Sequence, residues 1–215
     1  MDSRASSPAK RSVCIAVAAA SFAAFLALGV FVGRFGEPPA LWSVDRLLVG
    51  RGARVAWWIA HVEGFYVLAA LFVVLLIAAA FVKAWRSRIV FSLAMLVLAW
   101  RAADLFQHLF ARPRRLDWVI FHETSFSYPS SHATIAIAFY ALWAWLLAKS
   151  AADRSFKLGA IELALLVPAI CWSRLALGAH YLTDIAGGIL LGIALLAAGA
   201  AVWPEILRPQ RSEVA

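Results

Sequence analysis

Four uncharged stretches, residues 12–33, 64–82, 133–148 and 185–204, constrain this chain more than any other feature. A helix crossing the hydrocarbon core of a bilayer needs roughly 20 mainly apolar residues. The first and last stretches meet that length, and the middle two fall slightly short of it. Two further apolar segments, about 89–111 and about 157–177, are interrupted by polar residues. The composition agrees: 64% of the 215 residues are hydrophobic and 15% charged, and the mean hydropathy is +0.82. A soluble domain is about half apolar and about a quarter charged. Backbone in lipid must satisfy its own hydrogen bonds, which leaves helices as the means of crossing for runs of this length. The expected fold is therefore all-α, an integral membrane bundle of six transmembrane helices. It forms one domain, 12–207, between polar tails 1–11 and 208–215. Lys10 and Arg11 precede the first stretch as they would in a signal sequence. Its uncharged run exceeds the roughly 7–15 residues of a cleaved one, so the reading keeps it as a helix.

The net charge is +8, but its distribution does not describe a nucleic-acid surface. With six spans and the N-terminus inside, eleven lysines and arginines fall on the cytoplasmic side and eight on the other. This bias places both termini in the cytoplasm. Cys14 and Cys171 both fall in apolar spans and imply packing rather than a disulfide framework. Between the first two spans, residues 41–48 carry apolar side chains at helical spacing, with Trp42 as an anchor. They suit either a short helix lying in the interface or a loop packed on the bundle. Gly188 and Gly192 form a GxxxG pair suited to close helix approach, within the bundle rather than between copies.

Two polar clusters interrupt this apolar pattern. One is Ser173-Arg174, followed by His180 and Asp184; the other is Pro129-Ser130-Ser131-His132. In a six-span count both lie at the same membrane face, so they are expected to meet there. The spacing of four puts His180 and Asp184 on one side of a helix. A carboxylate beside an imidazole fixes its tautomer and raises the basicity of the other nitrogen, which suits a histidine nucleophile. Arg174 supplies a forked, permanently charged donor for phosphate oxygens. Ser131 and His132 open a helix whose free N–H groups favour an anion, and His132 titrates where a general acid is useful.

The pattern S-R-x5-H-x3-D is matched in full by Ser173, Arg174, His180 and Asp184. P-S-G-H is matched by Pro129, Ser130, Ser131 and His132, with serine in the glycine place. On these residues the chain resembles the type-2 phosphatidic acid phosphatase superfamily. The first signature of that family, K-x6-R-P, is incomplete here. One register puts Arg114 on the arginine, Arg115 on the proline and Gln107 on the lysine. The other takes Arg112-Pro113 as the R-P pair and leaves Leu105 in the lysine place. Arg112, Arg115 and His108 are candidate substitutes for the missing charge.

The resemblance implies a two-step mechanism in which His180 attacks phosphorus, Asp184 orients its ring, and His132 protonates the departing lipid oxygen. Arg174, Arg114, Ser130, Ser131, Arg112 and Gln107 are the implied phosphate contacts. It implies no metal and no cofactor, a lipid phosphate as substrate and the bilayer as partner. The small six-span format resembles bacterial members of the cytoplasmic membrane with an outward-facing site. Undecaprenyl diphosphate is the first expected substrate, with phosphatidylglycerophosphate or lipid A phosphates as alternatives. A lipid-to-lipid phosphotransferase and a non-catalytic lipid-binding or transport member are the competing readings. The oligomeric state is left open. Among the other polar residues at membrane depth, Arg101 is expected to pair with Glu63 or Asp104. His61 and His108 lie nearby in sequence, and Asp117, His122 and Glu123 are expected to border the entrance.

Overall fold

A computed structural model describes residues 8–114, 120, 124–150 and 154–207. The expected tails at 1–7 and 208–215 lie outside the described residues, as do Arg115, Asp117, His122 and Glu123. Helix α1 (Pro8–Phe35) is followed by α2 (Pro39–Leu48), α3 (Ala53–His61), α4 (Phe65–Phe81) and α5 (Arg86–Phe110). After a long connection come α6 (Ser131–Ile135), a π-helical turn (Ala136–Ala141), α7 (Leu142–Lys149), α8 (Arg154–Ala176) and α9 (Leu182–Val202). Among the described residues six helical segments are long and apolar enough to cross a membrane, beginning at Pro8, Ala53, Lys83, Ser131, Arg154 and Leu182. The chain is thus a multi-pass, all-helical membrane protein.

One boundary differs from the sequence reading. The first helix begins at Pro8, inside the polar stretch assigned to a tail. The second span runs from Ala53 to Phe81, with α3 and α4 as two pieces of one crossing. Gly52 enters α3 in the left-handed region, at φ 66°. Ala56 and Ala60 of α3 then pack against Ala176 and Leu177 at the end of α8. That face is cut for a protein neighbour, so a search for uninterrupted apolar runs passes over it. Residues 39–48 do form a helix, and its buried Asp45 accepts a hydrogen bond from the Leu182 N–H at 3.0 Å. The short helix thereby satisfies one of the free donors at the start of α9.

The core of the site end is set by α9. Gly187 lies against the Tyr128 ring, and Gly188 against the start of α6. A Cβ at Gly188 would sit 2.5 Å from the Ser130 carbonyl oxygen and 2.8 Å from the Ala133 Cβ. At Gly192 it would sit 2.7 Å from Ile137 Cβ. The GxxxG pair therefore packs inside the bundle, as expected. Tyr128 is fully buried, stacks on Phe25 of α1 at 5.5 Å and donates to the Phe25 carbonyl at 2.6 Å. Burying an aromatic ring with its hydroxyl satisfied fixes the approach to α6. The Ser130 N–H then donates to the Asp184 carbonyl at 3.1 Å, which joins the two polar clusters by main chain.

Candidate active site

His180 ends the short link between α8 and α9, where Gly178 takes a positive φ of 67°. Asp184 stands in the first turn of α9. One of its oxygens, Oδ2, accepts the Tyr181 N–H at 2.9 Å, which caps the helix, and faces His180 Nδ1 at 3.4 Å. The same carboxylate thus starts the helix and orients the imidazole. Its other oxygen, Oδ1, accepts from Arg112 Nη1 at 2.5 Å. Arg112, Asp184 and His180 are all nearly excluded from solvent, where such contacts are strongest.

On the far side of the ring, Arg114 Nη1 lies 3.2 Å from His180 Nε2. The Arg114 guanidinium also donates to the carbonyls of Ala179 at 2.5 Å, Ser125 at 2.7 Å and Phe126 at 3.1 Å. Main-chain oxygens therefore hold it in place before any ligand arrives. Nδ1 toward Asp184 and Nε2 toward Arg114 describe an imidazole with its proton on Nδ1 and a lone pair on Nε2, the nitrogen suited to attack phosphorus. Burial, reinforced by Arg114, Arg174 and His132, pulls His180 well below the usual histidine range; a hydrogen bond with the Ser127 backbone opposes this. His180 is accordingly neutral near pH 7, as a nucleophile must be. Burial also pulls Arg114 down, to about 10 with Asp184 opposing, so it remains cationic under the same conditions.

Arg174 is buried at the end of α8. Together with His132, Glu63 and His61 it lines a cavity of about 290 Å³. A second cavity of about 440 Å³ adjoins it, lined by Ser131, His132 and Glu63 at one end and by Phe65, Leu68, Phe72, Val97 and Trp100 beyond. His132 and Glu63 border both. The larger space is walled by apolar side chains of α4 and α5, and Val73 and Val97 at its margin are exposed on the lipid-facing surface. A polar pocket opening into an apolar groove matches a ligand with a charged head and a hydrocarbon tail.

The structure brings His180, Asp184, Arg114, Arg174, His132 and Ser131 to one end of the bundle. Three expected phosphate contacts are engaged elsewhere. Gln107 is buried and donates to the Pro129 carbonyl at 2.9 Å, so its amide braces the second cluster. The Ser130 hydroxyl accepts the Ala133 N–H at 3.4 Å and caps α6. Arg112 lies behind Asp184, on the side away from the nucleophilic nitrogen, and reaches Glu37 at 3.0 Å. The register that puts Arg114 on the motif arginine is therefore the one the geometry fits. The expected pairing of Arg101 with Glu63 or Asp104 is not formed among the described residues. Arg101 lies over the Trp100 ring at 5.6 Å, while Asp104 faces His108 at 3.7 Å. Glu63 is buried, within the field of Arg174, and neither of its carboxylate oxygens has a hydrogen-bond partner among the described residues. The sequence reading pointed Glu63 to Arg101 of α5, whereas folding carried it to Arg174 of α8.

Glu37 and Thr183 had no assigned role. Glu37 sits between Gly36 and Pro38, an acidic residue flanked by helix breakers, and that was the only signal it offered. Among the described residues no group of three or more histidine, cysteine, aspartate or glutamate side chains is arranged to hold a metal ion.

Comparisons with known proteins bear on this arrangement. Residues 104–208 match the model of the PAP2 superfamily. Over 76 residues the chain is 36% identical to phosphatidylglycerophosphatase B of Bacillus subtilis (strain 168), a match covering 34% of this chain and 37% of that protein. The aligned part thus spans little more than a third of the relative's length. The fold is similar to the crystal structure of a transmembrane PAP2-type phosphatidylglycerolphosphate phosphatase from Bacillus subtilis. The TM-score is 0.68 and the identity 22%, over 90% of this chain and 98% of that one.

Proposed function

We propose that this chain, whose residues 104–208 match the PAP2 superfamily model, is a membrane lipid phosphatase that releases inorganic phosphate from a lipid phosphate ester. The observation that carries this reading is the His180 imidazole held between Asp184 and Arg114, 3.4 Å from one and 3.2 Å from the other. His180 Nε2 attacks phosphorus, and the bond from phosphorus to the lipid oxygen breaks. His132 gives its proton to that oxygen, so a lipid alcohol leaves and a phosphohistidine remains. Water then loses a proton to His132 and attacks phosphorus. The phosphorus–nitrogen bond breaks, and phosphate departs with His180 restored. Arg114 and Arg174 stabilise the charge that accumulates on the phosphoryl oxygens, the main help a protein gives phosphoryl transfer. Ser131, at the start of α6, lies beside His132 at the mouth of the apolar groove.

The names of the similar proteins support phosphatidylglycerophosphate ahead of undecaprenyl diphosphate as the substrate. The charge distribution supports a site at the outward face of a bacterial cytoplasmic membrane. The chemistry uses side chains of this chain alone. The test is phosphate release by purified protein in detergent micelles, without added divalent ions. The panel comprises phosphatidylglycerophosphate, phosphatidic acid, undecaprenyl diphosphate and a lipid A phosphate. Release from phosphatidylglycerophosphate is expected to be the fastest, and His180→Ala to reduce it by at least about a thousandfold, as loss of a nucleophile does. Full activity in that variant refutes the mechanism, and a preference for the diphosphate overturns the choice of substrate.

A further inference from the structure

The carboxylate that orients His180 is itself held by a chain of buried contacts that begins on the opposite side of the sequence. Arg112 is 5% exposed, and its forked guanidinium is fully divided. Nη1 donates to Asp184 Oδ1 at 2.5 Å and to Thr183 Oγ1 at 2.8 Å. Nη2 donates to Glu37 Oε2 at 3.0 Å. The Thr183 hydroxyl donates to that same Glu37 oxygen. The flat face of the guanidinium lies over the Tyr181 ring, 4.1 Å from its centroid. Both terminal nitrogens and one face of the guanidinium are thus engaged. Asp184 and Glu37 hold Arg112 above its ordinary value against the pull of burial, which keeps the bridge charged throughout.

Division of the guanidinium matters because arginine and a carboxylate prefer to meet two bonds to two oxygens. Were Nη2 released, Arg112 would be free to take both oxygens of Asp184. That would draw Oδ2 away from His180 Nδ1 and from the Tyr181 N–H. A buried Nη2 left without an acceptor would also be unfavourable by itself, so the rearrangement is driven from both ends. Glu37 prevents it by engaging Nη2 and, through Thr183, the first turn of α9. Glu37 lies in the short link between α1 and α2, so it also ties the first span to the last beside the nucleophile.

We propose that Glu37 is a positioning residue: acting through Arg112, it limits that arginine to one oxygen of Asp184 and leaves the other to aim His180. The effect falls on the transition state, where the Nε2 direction matters, and hardly on ground-state binding. This rests on the nucleophilic role given to His180 under the proposed function. The test therefore includes ligands that need no lipid substrate.

Full-length protein in micelles is compared as wild type, Glu37→Ala and Glu37→Gln, each also in an Arg112→Lys background. The readouts are kcat and KM for phosphatidylglycerophosphate and dissociation constants for orthovanadate and inorganic phosphate. Vanadate takes up the five-coordinate geometry of the transition state, and phosphate does not. Glu37→Ala is expected to lower kcat about tenfold and to weaken vanadate about tenfold, with KM and phosphate binding within about twofold. Glu37→Gln keeps an oxygen able to accept from both Arg112 and Thr183, and is expected to return both quantities to within about threefold of wild type. In the Arg112→Lys background Glu37→Ala should add less than about twofold. Should Glu37→Ala not give a monodisperse protein, Glu37→Met, of similar length and without an acceptor, carries the same expectations. Unchanged kcat and vanadate affinity overturns the proposal, as does a full tenfold loss in the Arg112→Lys background. A wild type that binds vanadate but releases phosphate from no lipid refutes the proposed function instead, and the vanadate series still decides the role of Glu37.

Discussion

Arg112 and Arg114 stand two residues apart with the same side chain, Arg112 buried and Arg114 half-buried, yet they serve opposite faces of the site. Arg114 meets the nucleophilic nitrogen of His180, and Arg112 meets the carboxylate behind it. The Arg114 guanidinium, with Arg174, also shapes the titration of His180. Burial and the neighbouring positive charges depress His180, so its neutral form persists well below pH 6.5. In an unfolded chain the same ring gains a proton near about pH 6.5. The unfolded state thus binds more protons below that pH, and the contribution of His180 to stability falls as the solution is acidified. Histidine ring NMR of the protein in micelles, with His180→Asn to identify the resonance, should find the ring neutral at pH 6. A midpoint near 6.5 would contradict this.

At the level of helices, α9 is where the site is aligned. Its first turn carries Asp184, and its glycines let α6 come close enough for the Ser130 N–H to reach the Asp184 carbonyl. Gly188→Ala would place a methyl 2.5 Å from the Ser130 carbonyl oxygen, against main chain rather than a flexible side chain. Overpacking of this kind costs about 1–3 kcal/mol, and separation of the helices here disturbs both catalytic clusters. Gly33 in α1 offers the comparison, since a Cβ there meets nothing within 4 Å. Exchange of glycine for alanine in an open helical position stabilises by up to about 1 kcal/mol. Thermal unfolding in detergent should show Gly188→Ala melting lower with reduced phosphate release, and Gly33→Ala unchanged or higher with activity intact. Equal behaviour of the two variants would mean that the α6–α9 approach has no part in the site. The π-helical turn at Ala136–Ala141 lies just beyond the same contact, and the extra residue in that turn shifts the face that α7 presents below it.

For the whole molecule, the proposal of an outward-facing site rests on the charge bias alone. With Cys14 and Cys171 replaced by serine, Arg51→Cys should react with an impermeant thiol reagent in intact cells, and Lys83→Cys only after lysis. The reverse pattern would place the site in the cytoplasm. The number of spans, their approximate positions and the His180–Asp184 pair were all legible in the sequence, because each is a local property. An apolar run must cross lipid as a helix, and a spacing of four brings two side chains to one face of it. The meeting of Pro129–His132 with Ser173–Asp184 was legible as well, from the parity of the spans between them. The choice between the two arginines, the diversion of Gln107 and Ser130 to main-chain partners, and the approach of Glu63 to Arg174 were not. Nor was the clasp of Glu37 on Arg112 and Thr183, partners 75 and 146 residues away. Such contacts leave no periodicity and no spacing to read. They exist because bundling forces buried charges to find partners wherever the other helices happen to carry them, and only the folded chain decides which those are.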